Sequence, residues 1–511
     1  MPSDDRWHGA RSKGRILANR VHAFRAGAPL KSLTTVRPSP PRTFVAARTG
    51  VCFAAAIEIG ILAAHPGLGL VASLGTFATQ YAPRRSTALP VLTLPFIALL
   101  LAANTVAGAS VAEYRWAAPA VVGGATFAMT CLCSVAEIPP PGTAMFILVC
   151  AIGTRLPPGH LGQDFALVLA GGLASSAVVL SERLLLLLPS RRSTIQANSG
   201  GEVTRPITGA ARSPISRFGP VASRERLRTL VAHRHPSLPR SPTIYMAQRA
   251  GGAVLVAGLL ANLVGLSRPY WAMFSAASVM AQGSYSTVVT ERTLHRFIGT
   301  AIGVVIAMLA VSLDPTGPLL AIALGALMFL AALTVTRNYA LGLLFITPLA
   351  LLLTNSVGQA QQVLPLAGQR LLETALGCLA GLVAGYSVSA TWAVRQVRLA
   401  VSGTVEAMTA QLADGAKDPE RLRSLERWTR RLEVVGERAP AERDGVRTAV
   451  DPYAGSIAAT QQLARRVIEA ARPSRDRTED APQGSTTQLA KAVSDLTEVL
   501  VMERHINPHD D

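Results

Sequence analysis

The chain has 511 residues, of which 50% are hydrophobic and 16% are charged, and its formal net charge is +18. A soluble chain of this length carries about 25% charged residues, so the composition argues against a soluble enzyme. The positive charge also fits a nucleic-acid-binding protein, but the sequence lacks the interleaved aromatic residues and the motifs of that class. We therefore expect a membrane protein with the lipid bilayer as a partner and no nucleic acid.

The N-terminal segment, residues 1–47, is rich in Arg, Ser and Pro, and residues 1–48 contain 10 Lys/Arg against 2 Asp/Glu. This composition predicts a basic and largely disordered segment. Segments that flank membrane helices on the cytoplasmic side carry an excess of Lys and Arg, so we expect this segment in the cytoplasm.

The first apolar block, residues 48–187, alternates apolar runs with turn signals such as His65-Pro66-Gly67 and Pro157-Pro158-Gly159. Each run approaches the ~20 residues that a spanning helix needs. Several runs are short, which predicts tilted, broken or sheltered helices. We predict six transmembrane helices over 48–65, 67–81, 87–110, 116–136, 143–155 and 163–187.

A basic linker, residues 188–243, follows the first block and contains 10 Lys/Arg against 2 Asp/Glu. Ser, Pro, Gly and Arg occur throughout it, which is typical of a flexible segment. Its charge places it in the cytoplasm, like the N-terminal segment.

The second apolar block, residues 244–393, is similar in layout to the first. Arg48-Thr49-Gly50 matches Arg249-Ala250-Gly251, and Gly162-Gln163-Asp164 matches Gly368-Gln369-Arg370. We predict six further helices over 245–266, 269–284, 292–313, 317–336, 339–355 and 368–393. The fold class is therefore all-α, a polytopic membrane protein with two tandem repeats of about six helices and both termini in the cytoplasm. A duplicated membrane unit typically encloses a pathway between its halves.

The C-terminal region, residues 394–511, is polar, and from residue 393 onward the chain holds 18 basic and 19 acidic residues. Amphipathic stretches separated by Asp-Gly, Ala-Pro and Arg-Pro breaks predict a cytoplasmic helical domain of about four helices. These stretches lie near 394–412, 419–435, 452–471 and 487–503.

Two helical faces combine charge with small residues. Arg296, Gly299, Thr300 and Gly303 share one face by their spacing. On the second face, Glu373, Gly377 and Gly381 follow Arg370 at i+3, i+7 and i+11. Small residues allow a neighbouring helix to approach closely, so we assign Gly299, Gly303, Gly377 and Gly381 to helix packing. Arg296 either holds an anion or pairs with a carboxylate, and Arg370 with Glu373 forms either a local helix pair or a substrate gate.

Three further residues are candidates for a substrate or proton pathway. Glu58 lies within an apolar helix, where an ionisable group faces either a partner or a cavity. It is either a proton carrier or the acceptor of an interhelical hydrogen bond. Arg249 is either an interfacial anchor or a ligand. Trp271 either stacks on an aromatic substrate or belongs to an interfacial belt.

Three motifs in the second block resemble the fusaric acid resistance-like (FUSC) family of membrane transporters. Arg296-Phe297-Ile298-Gly299-Thr300, followed by Gly303, is similar to the family's R-x-x-G-T-x-x-G signature. Arg268-Pro269-Tyr270-Trp271-Ala272 resembles its P-Y-W-A entry to the preceding span, and the segment 370–377 resembles its R-x-x-[DE]-T-x-x-G. The three matches occur in the family's order.

This resemblance implies an inner-membrane exporter, often of aromatic carboxylic acids, that is driven by the proton gradient. It also implies a relationship to plant aluminium-activated malate transporters, which are dimeric anion channels. The expected partners are therefore a small organic anion and a second copy of the chain.

Signals for catalysis are missing from the sequence, which has no P-loop, no Gly-x-Ser-x-Gly and no His-Glu-x-x-His. The five cysteines all lie in apolar segments without zinc-type spacing, so we expect no metal site, no cofactor and no enzyme. Three hypotheses remain: a proton-coupled exporter of aromatic carboxylates, a dimeric anion channel, and a non-transporting membrane scaffold or sensor.

Overall fold

The regular elements of the described residues are all helices, as predicted. A computed structural model describes residues 32–35, 42–82, 92–136, 138, 141–187, 242–281, 286–355, 363–387, 390–413, 419–438, 444–471 and 493–494. These residues fall into two compact units. The membrane unit holds those from 32 to 281 and from 289 to 384, and the C-terminal unit holds those from 385 onward together with 286–288.

The first apolar block forms helices that begin and end close to the predicted turns. Pro66 opens the second helix, since proline fits the first helical position, where its missing N–H costs no hydrogen bond. Gly142 and Gly159 lie in turns with φ of +62° and +88°. The helices are α1 (Thr43–Leu62), α2 (Pro66–Gly75), a 3-10 helix (Thr76–Tyr81), α3 (Thr93–Ala109), α4 (Ala118–Val135), α5 (Ala144–Gly153) and α6 (Leu161–Leu187).

The second block contains α7 (Pro242–Leu263), α8 (Pro269–Met280), α9 (Ser286–Ser312), α10 (Gly317–Thr334), α11 (Tyr339–Asn355) and α12 (Val363–Tyr386). The largest differences from the predicted bounds lie in α9 and α12, and α12 also ends at Tyr386 rather than at 393. Helix α9 begins at Ser286 rather than at 292, and α12 begins at Val363 within the predicted polar loop 354–368. Apolar periodicity marks the buried part of a helix, whereas polar residues that continue its end carry no such signal.

Six of these helices are long and apolar enough to cross a membrane, namely α1, α4, α6, α7, α9 and α10. Helices α3, α5 and α11 are apolar but shorter. Helix α5, with 10 residues, extends only about 15 Å against the ~30 Å of a bilayer's hydrocarbon core. A helix of that length inside a membrane must be covered by protein, and most of α5 is buried.

The membrane unit joins the two blocks through reciprocal helix pairs. Helix α1 packs against α10, and α7 packs against α4. A Cβ added to Gly50 in α1 would lie 2.7 Å from the carbonyl oxygen of Gly325, and one added to Gly251 in α7 would lie 2.8 Å from that of Gly123. Gly50 and Gly251 occupy matching positions of the predicted repeat. The first helix of each block thus packs against the fourth helix of the other.

The C-terminal unit contains α13 (Ala390–Ala413), α14 (Pro419–Arg438), α15 (Asp444–Val450) and α16 (Ala454–Ala471). Helix α13 packs against α14 and α16 around Val405, Met408 and Leu425. Arg398 donates to the hydroxyl of Tyr453 at 2.8 Å. The predicted last helix near 487–503 lies outside the described residues, apart from 493–494, and so do most of the N-terminal segment and of the linker.

A candidate anion-binding site

The candidate site is built on α8, whose residues from Tyr270 to Met280 are all buried. Pro269 opens this helix, which packs against α4, α5 and α7. The rings of Tyr270 and Trp271 lie 4.8 Å apart, and those of Trp271 and Phe274 lie 6.3 Å apart in an edge-on arrangement. Helix α8 therefore presents a row of aromatic side chains inside the membrane unit.

Arg370 on α12 lies against the first part of this row. Its guanidinium carbon is 3.6 Å from the centre of the Trp271 ring, and the residue is 2% exposed. A cation over the face of Trp is attracted by the ring's electron density. However, the described residues offer no hydrogen-bond partner to Nε, Nη1 and Nη2 of Arg370. The stacking holds the group in position and leaves its N–H donors unused.

Arg296 on α9 lies at the other end of the row. Its guanidinium carbon is 4.9 Å from the centre of the Phe274 ring, and Nη1 donates to the hydroxyl of Tyr339 at 2.8 Å. Arg296 is 1% exposed, and its Nε and Nη2 have no hydrogen-bond partner among the described residues. Two buried guanidiniums thus lie on the same row of rings, and each lies in the electrostatic field of the other.

Glu373 lies near Arg370 but does not neutralise the site. It is 1% exposed and accepts a hydrogen bond from the backbone N–H of Arg268. Its Oε1 has no hydrogen-bond partner among the described residues. Among the described residues, no carboxylate forms an ion pair with Arg296 or Arg370. An unpaired charge in a protein interior costs several kcal/mol. The site therefore has an excess of positive charge that a bound anion would balance.

Close helix contacts set the position of both arginines. A Cβ at Gly377 would overlap the carbonyl oxygen of Ala272, which brings α12 against α8 and Arg370 against Trp271. A Cβ at Gly299 would lie 2.7 Å from the carbonyl oxygen of Ala340, which brings α9 against α11. Glycine at these positions allows the backbones to approach closely. Gly303 and Gly381 lie at the same two contacts.

Five of the predicted pathway residues fall within this site: Trp271, Arg296, Thr300, Arg370 and Glu373. Arg249 is used elsewhere, since its Nε donates to the carbonyl oxygen of Ala384 at 3.0 Å and its guanidinium lies over the Tyr245 ring. Glu58 is half-buried in the last part of α1, which packs against α2, α6 and α10.

Phe274 and Tyr339 contact Arg296 in the site and were not predicted, and neither was Thr347, which lies against Gly303. Phe274 follows Trp271 by three residues, so the helical spacing along α8 contained a usable signal. Tyr339 and Thr347 lie on α11, and no sequence pattern indicated that α11 packs against the face of α9 that carries Arg296.

Comparison with known proteins finds a family match within the second block. Residues 255–384 match the family described as fusaric acid resistance protein-like, so the resemblance based on the three motifs is confirmed for this region. The chain is also 33% identical over 144 residues to the uncharacterized membrane protein YvaC of Bacillus subtilis (strain 168). That match covers 28% of this chain and 23% of the relative's length. No solved structure matches the chain.

Proposed function

We propose that this multi-pass membrane protein transports small organic anions, because residues 255–384 match the family described as fusaric acid resistance protein-like and the sequence motifs resemble its transporters. The site on α8 is the proposed binding place for the anion. Aromatic carboxylates are the proposed substrates, export across the plasma membrane is the proposed direction, and a homodimer is the proposed assembly.

The observation that carries this proposal is the pair of buried arginines with unused N–H donors. A carboxylate has two oxygens that accept charge-assisted hydrogen bonds, and arginine donors match their planar geometry. The buried rings of Trp271 and Phe274 on α8, which lie against the two guanidiniums, suit the hydrocarbon part of the same ligand. An anion with a small apolar body would therefore fulfil both requirements of the site.

Proton coupling is a second part of the proposal, and Glu373 is its carrier. A deprotonated Glu373 would offset part of the positive charge at Arg370, and a bound carboxylate would offset the same charge. Binding of the anion would then favour the protonated form of Glu373. The proton and the anion would then bind and leave together, so the coupling would be a symport in which the outward concentration gradient of the anion drives export.

The proposal is tested by efflux of radiolabelled benzoate from proteoliposomes of phosphatidylethanolamine and phosphatidylglycerol. Arg296→Gln and Arg370→Gln each remove a charged donor, and a hydrogen bond to a charged group contributes about 1.5–3 kcal/mol. We therefore expect kcat/KM for benzoate to fall roughly 10- to 100-fold in each variant, since every 1.4 kcal/mol is a factor of ten.

Arg249→Gln is the matched control, because it removes a buried arginine whose donors are used by the carbonyl of Ala384. Its efflux should stay close to that of the parent protein once the amount of folded protein is equalised. Parent-like efflux in both Arg296→Gln and Arg370→Gln would refute the proposed site.

A further inference from the structure

Buried hydroxyl groups in the membrane unit commonly donate to the carbonyl one turn earlier in their own helix. Thr105 donates to Leu101 at 2.9 Å, and Thr126 donates to Val122 at 2.7 Å. Thr293 on α9 follows the same rule with a 2.8 Å bond to Val289. Such a bond satisfies a buried Ser or Thr without any other partner.

Thr300 on α9 and Thr347 on α11 depart from this rule. Both residues are 0% exposed, and the Oγ1 atom of each has no hydrogen-bond partner in the part of the chain that the structure describes. A buried hydroxyl without a partner is unfavourable because it has lost its hydrogen bonds to water. A native structure rarely keeps such a group unless something outside the chain satisfies it.

The two hydroxyls lie on the helices that carry Arg296 and Tyr339. Thr300 follows Arg296 by one helical turn on the same face of α9. Thr347 lies across the contact between α9 and α11, where a Cβ at Gly303 would be 3.0 Å from its Oγ1. The start of α11 also reaches Arg296, through the hydroxyl of Tyr339. The unused donors of Arg296 and the two hydroxyls thus lie along the same pair of helices.

A proline inside α11 leaves one backbone carbonyl near Thr347 without its helical hydrogen bond. Pro348 lies inside α11, directly after Thr347. Because proline has no backbone N–H, the carbonyl of Leu344 lacks its usual helical donor. Thr347 is therefore placed where the helix already departs from its regular hydrogen bonding, and where a neighbouring glycine leaves room for its side chain.

We propose that Thr300 and Thr347 form a second, uncharged anion subsite beside Arg296. It takes a carboxylate or another oxyanion, which accepts hydrogen bonds from the two hydroxyls. This inference rests on the proposed transport of organic anions and adds a second place at which the anion is held, at the contact of α9 and α11.

Thr300→Val and Thr347→Val test the subsite, because valine has nearly the shape of threonine and lacks the hydroxyl. The first measurement is the thermal unfolding midpoint of the purified full-length protein in detergent, without added anion. We expect it to be unchanged or higher in both variants, since each removes an unsatisfied polar group. Thr105→Val is the control and should unfold at a lower temperature, because its hydroxyl donates to Leu101.

The second measurement is the rise of the midpoint on addition of benzoate, together with KM for benzoate efflux. A ligand that binds the folded state raises the midpoint in proportion to its affinity. We expect both valine variants to lose most of this rise and to raise KM about tenfold, by analogy with the loss of one ligand hydrogen bond. Thr300→Ser and Thr347→Ser keep the hydroxyl and should retain most of the benzoate response.

Two results would overturn the subsite and leave the transport proposal standing. One is a midpoint that falls in the valine variants as it does in Thr105→Val, which would mean that the hydroxyls have a structural partner. The other is a parent-like benzoate response in both valine variants while Arg296→Gln loses its response. A parent protein that neither binds nor exports benzoate, or an Arg296→Gln variant that behaves like the parent, would overturn the transport proposal as well.

Discussion

Three buried arginines of the membrane unit show what distinguishes a binding residue from a structural one. Arg48 on α1 is buried like Arg296 and Arg370, but it forms an ion pair with Glu182 at 3.2 Å and donates to the carbonyl of Thr79 at 2.9 Å. It also donates to the carbonyl of Ala82. Burial of an arginine is therefore ordinary in this fold. Among the described residues, Arg48 leaves only its Nε without a hydrogen-bond partner, whereas Arg296 leaves two nitrogens and Arg370 leaves three. This larger set of unused donors is the feature that indicates a ligand.

Glu373 and Glu58 give a direct comparison of two carboxylates as proton carriers. Glu373→Gln keeps the size of the side chain and fixes it as uncharged. We expect this variant to bind benzoate and to let it move down its own gradient, but to lose accumulation driven by a proton gradient. Glu58→Gln should keep gradient-driven transport, because Glu58 lies on α1 and not beside Arg370.

The measurement is benzoate flux in proteoliposomes with an imposed pH difference, before and after a protonophore collapses it. If flux in the parent is insensitive to the protonophore, the protein behaves as an anion channel. If Glu58→Gln rather than Glu373→Gln uncouples transport, the proton pathway runs through the first block.

Sequence spacing identified most of the site's residues but not their arrangement. The i, i+3 and i+4 pattern placed Thr300 on the face of Arg296, and Glu373 on that of Arg370. Spacing shows which residues share a face and gives no information about which faces meet. The contact of Arg296 with Tyr339 depends on the packing of α9 against α11, so it could be found only from the structure.

At the scale of helices, glycine pairs fix the contacts between the two blocks. Gly251 and Gly252 are neighbours on α7, yet a Cβ at Gly251 would lie 2.8 Å from the carbonyl of Gly123, whereas a Cβ at Gly252 meets nothing within 4 Å. This difference makes the two positions a matched pair for substitution by alanine.

Gly251→Ala should lower the thermal unfolding midpoint, because the added methyl group forces α7 and α4 apart, and overpacking costs about 1–3 kcal/mol. Gly252→Ala should leave the midpoint unchanged or raise it, since alanine is favoured over glycine in a helix by roughly 0.8–1 kcal/mol. Equal midpoints for the two variants would mean that this close contact does not exist in the protein.

Helix length was harder to predict than helix position. Apolar runs and turn signals located α2, α5 and α8, and the short runs predicted tilted, broken or sheltered helices, but the sequence did not show which runs were complete spans and which were enclosed short helices. Helix α8 has 12 residues and is buried over nearly its whole length. Its short length is set by what surrounds it, because a helix enclosed by protein has no need to match the thickness of a bilayer.

At the scale of the whole molecule, an even number of spans per block predicts that the linker and the C-terminal region lie on the same side of the membrane. Single cysteines at Ser199 in the linker and Ser485 in the C-terminal region test this orientation. Cys131 is first replaced by serine, because the other four natural cysteines are buried. Both introduced cysteines should react with a membrane-impermeant maleimide only after the cells are permeabilised.

Ser110 lies in the exposed turn between α3 and α4, and we expect this turn on the other side of the membrane. A cysteine there should react in intact cells, because three spans precede it. Labelling of Ser199 in intact cells, or protection of Ser110, would contradict six spans in the first block and the positive-inside orientation.

The enclosure of α8 has a consequence for how the protein is made. Helix α8 leaves the ribosome long before α12, and it is α12 that lays Arg370 over Trp271. During this interval a short helix with a row of aromatic rings has an incomplete protein shell. Nascent chains that stop before α12 would therefore display an unfinished cavity to lipid and to membrane proteases, and cells should clear such fragments quickly.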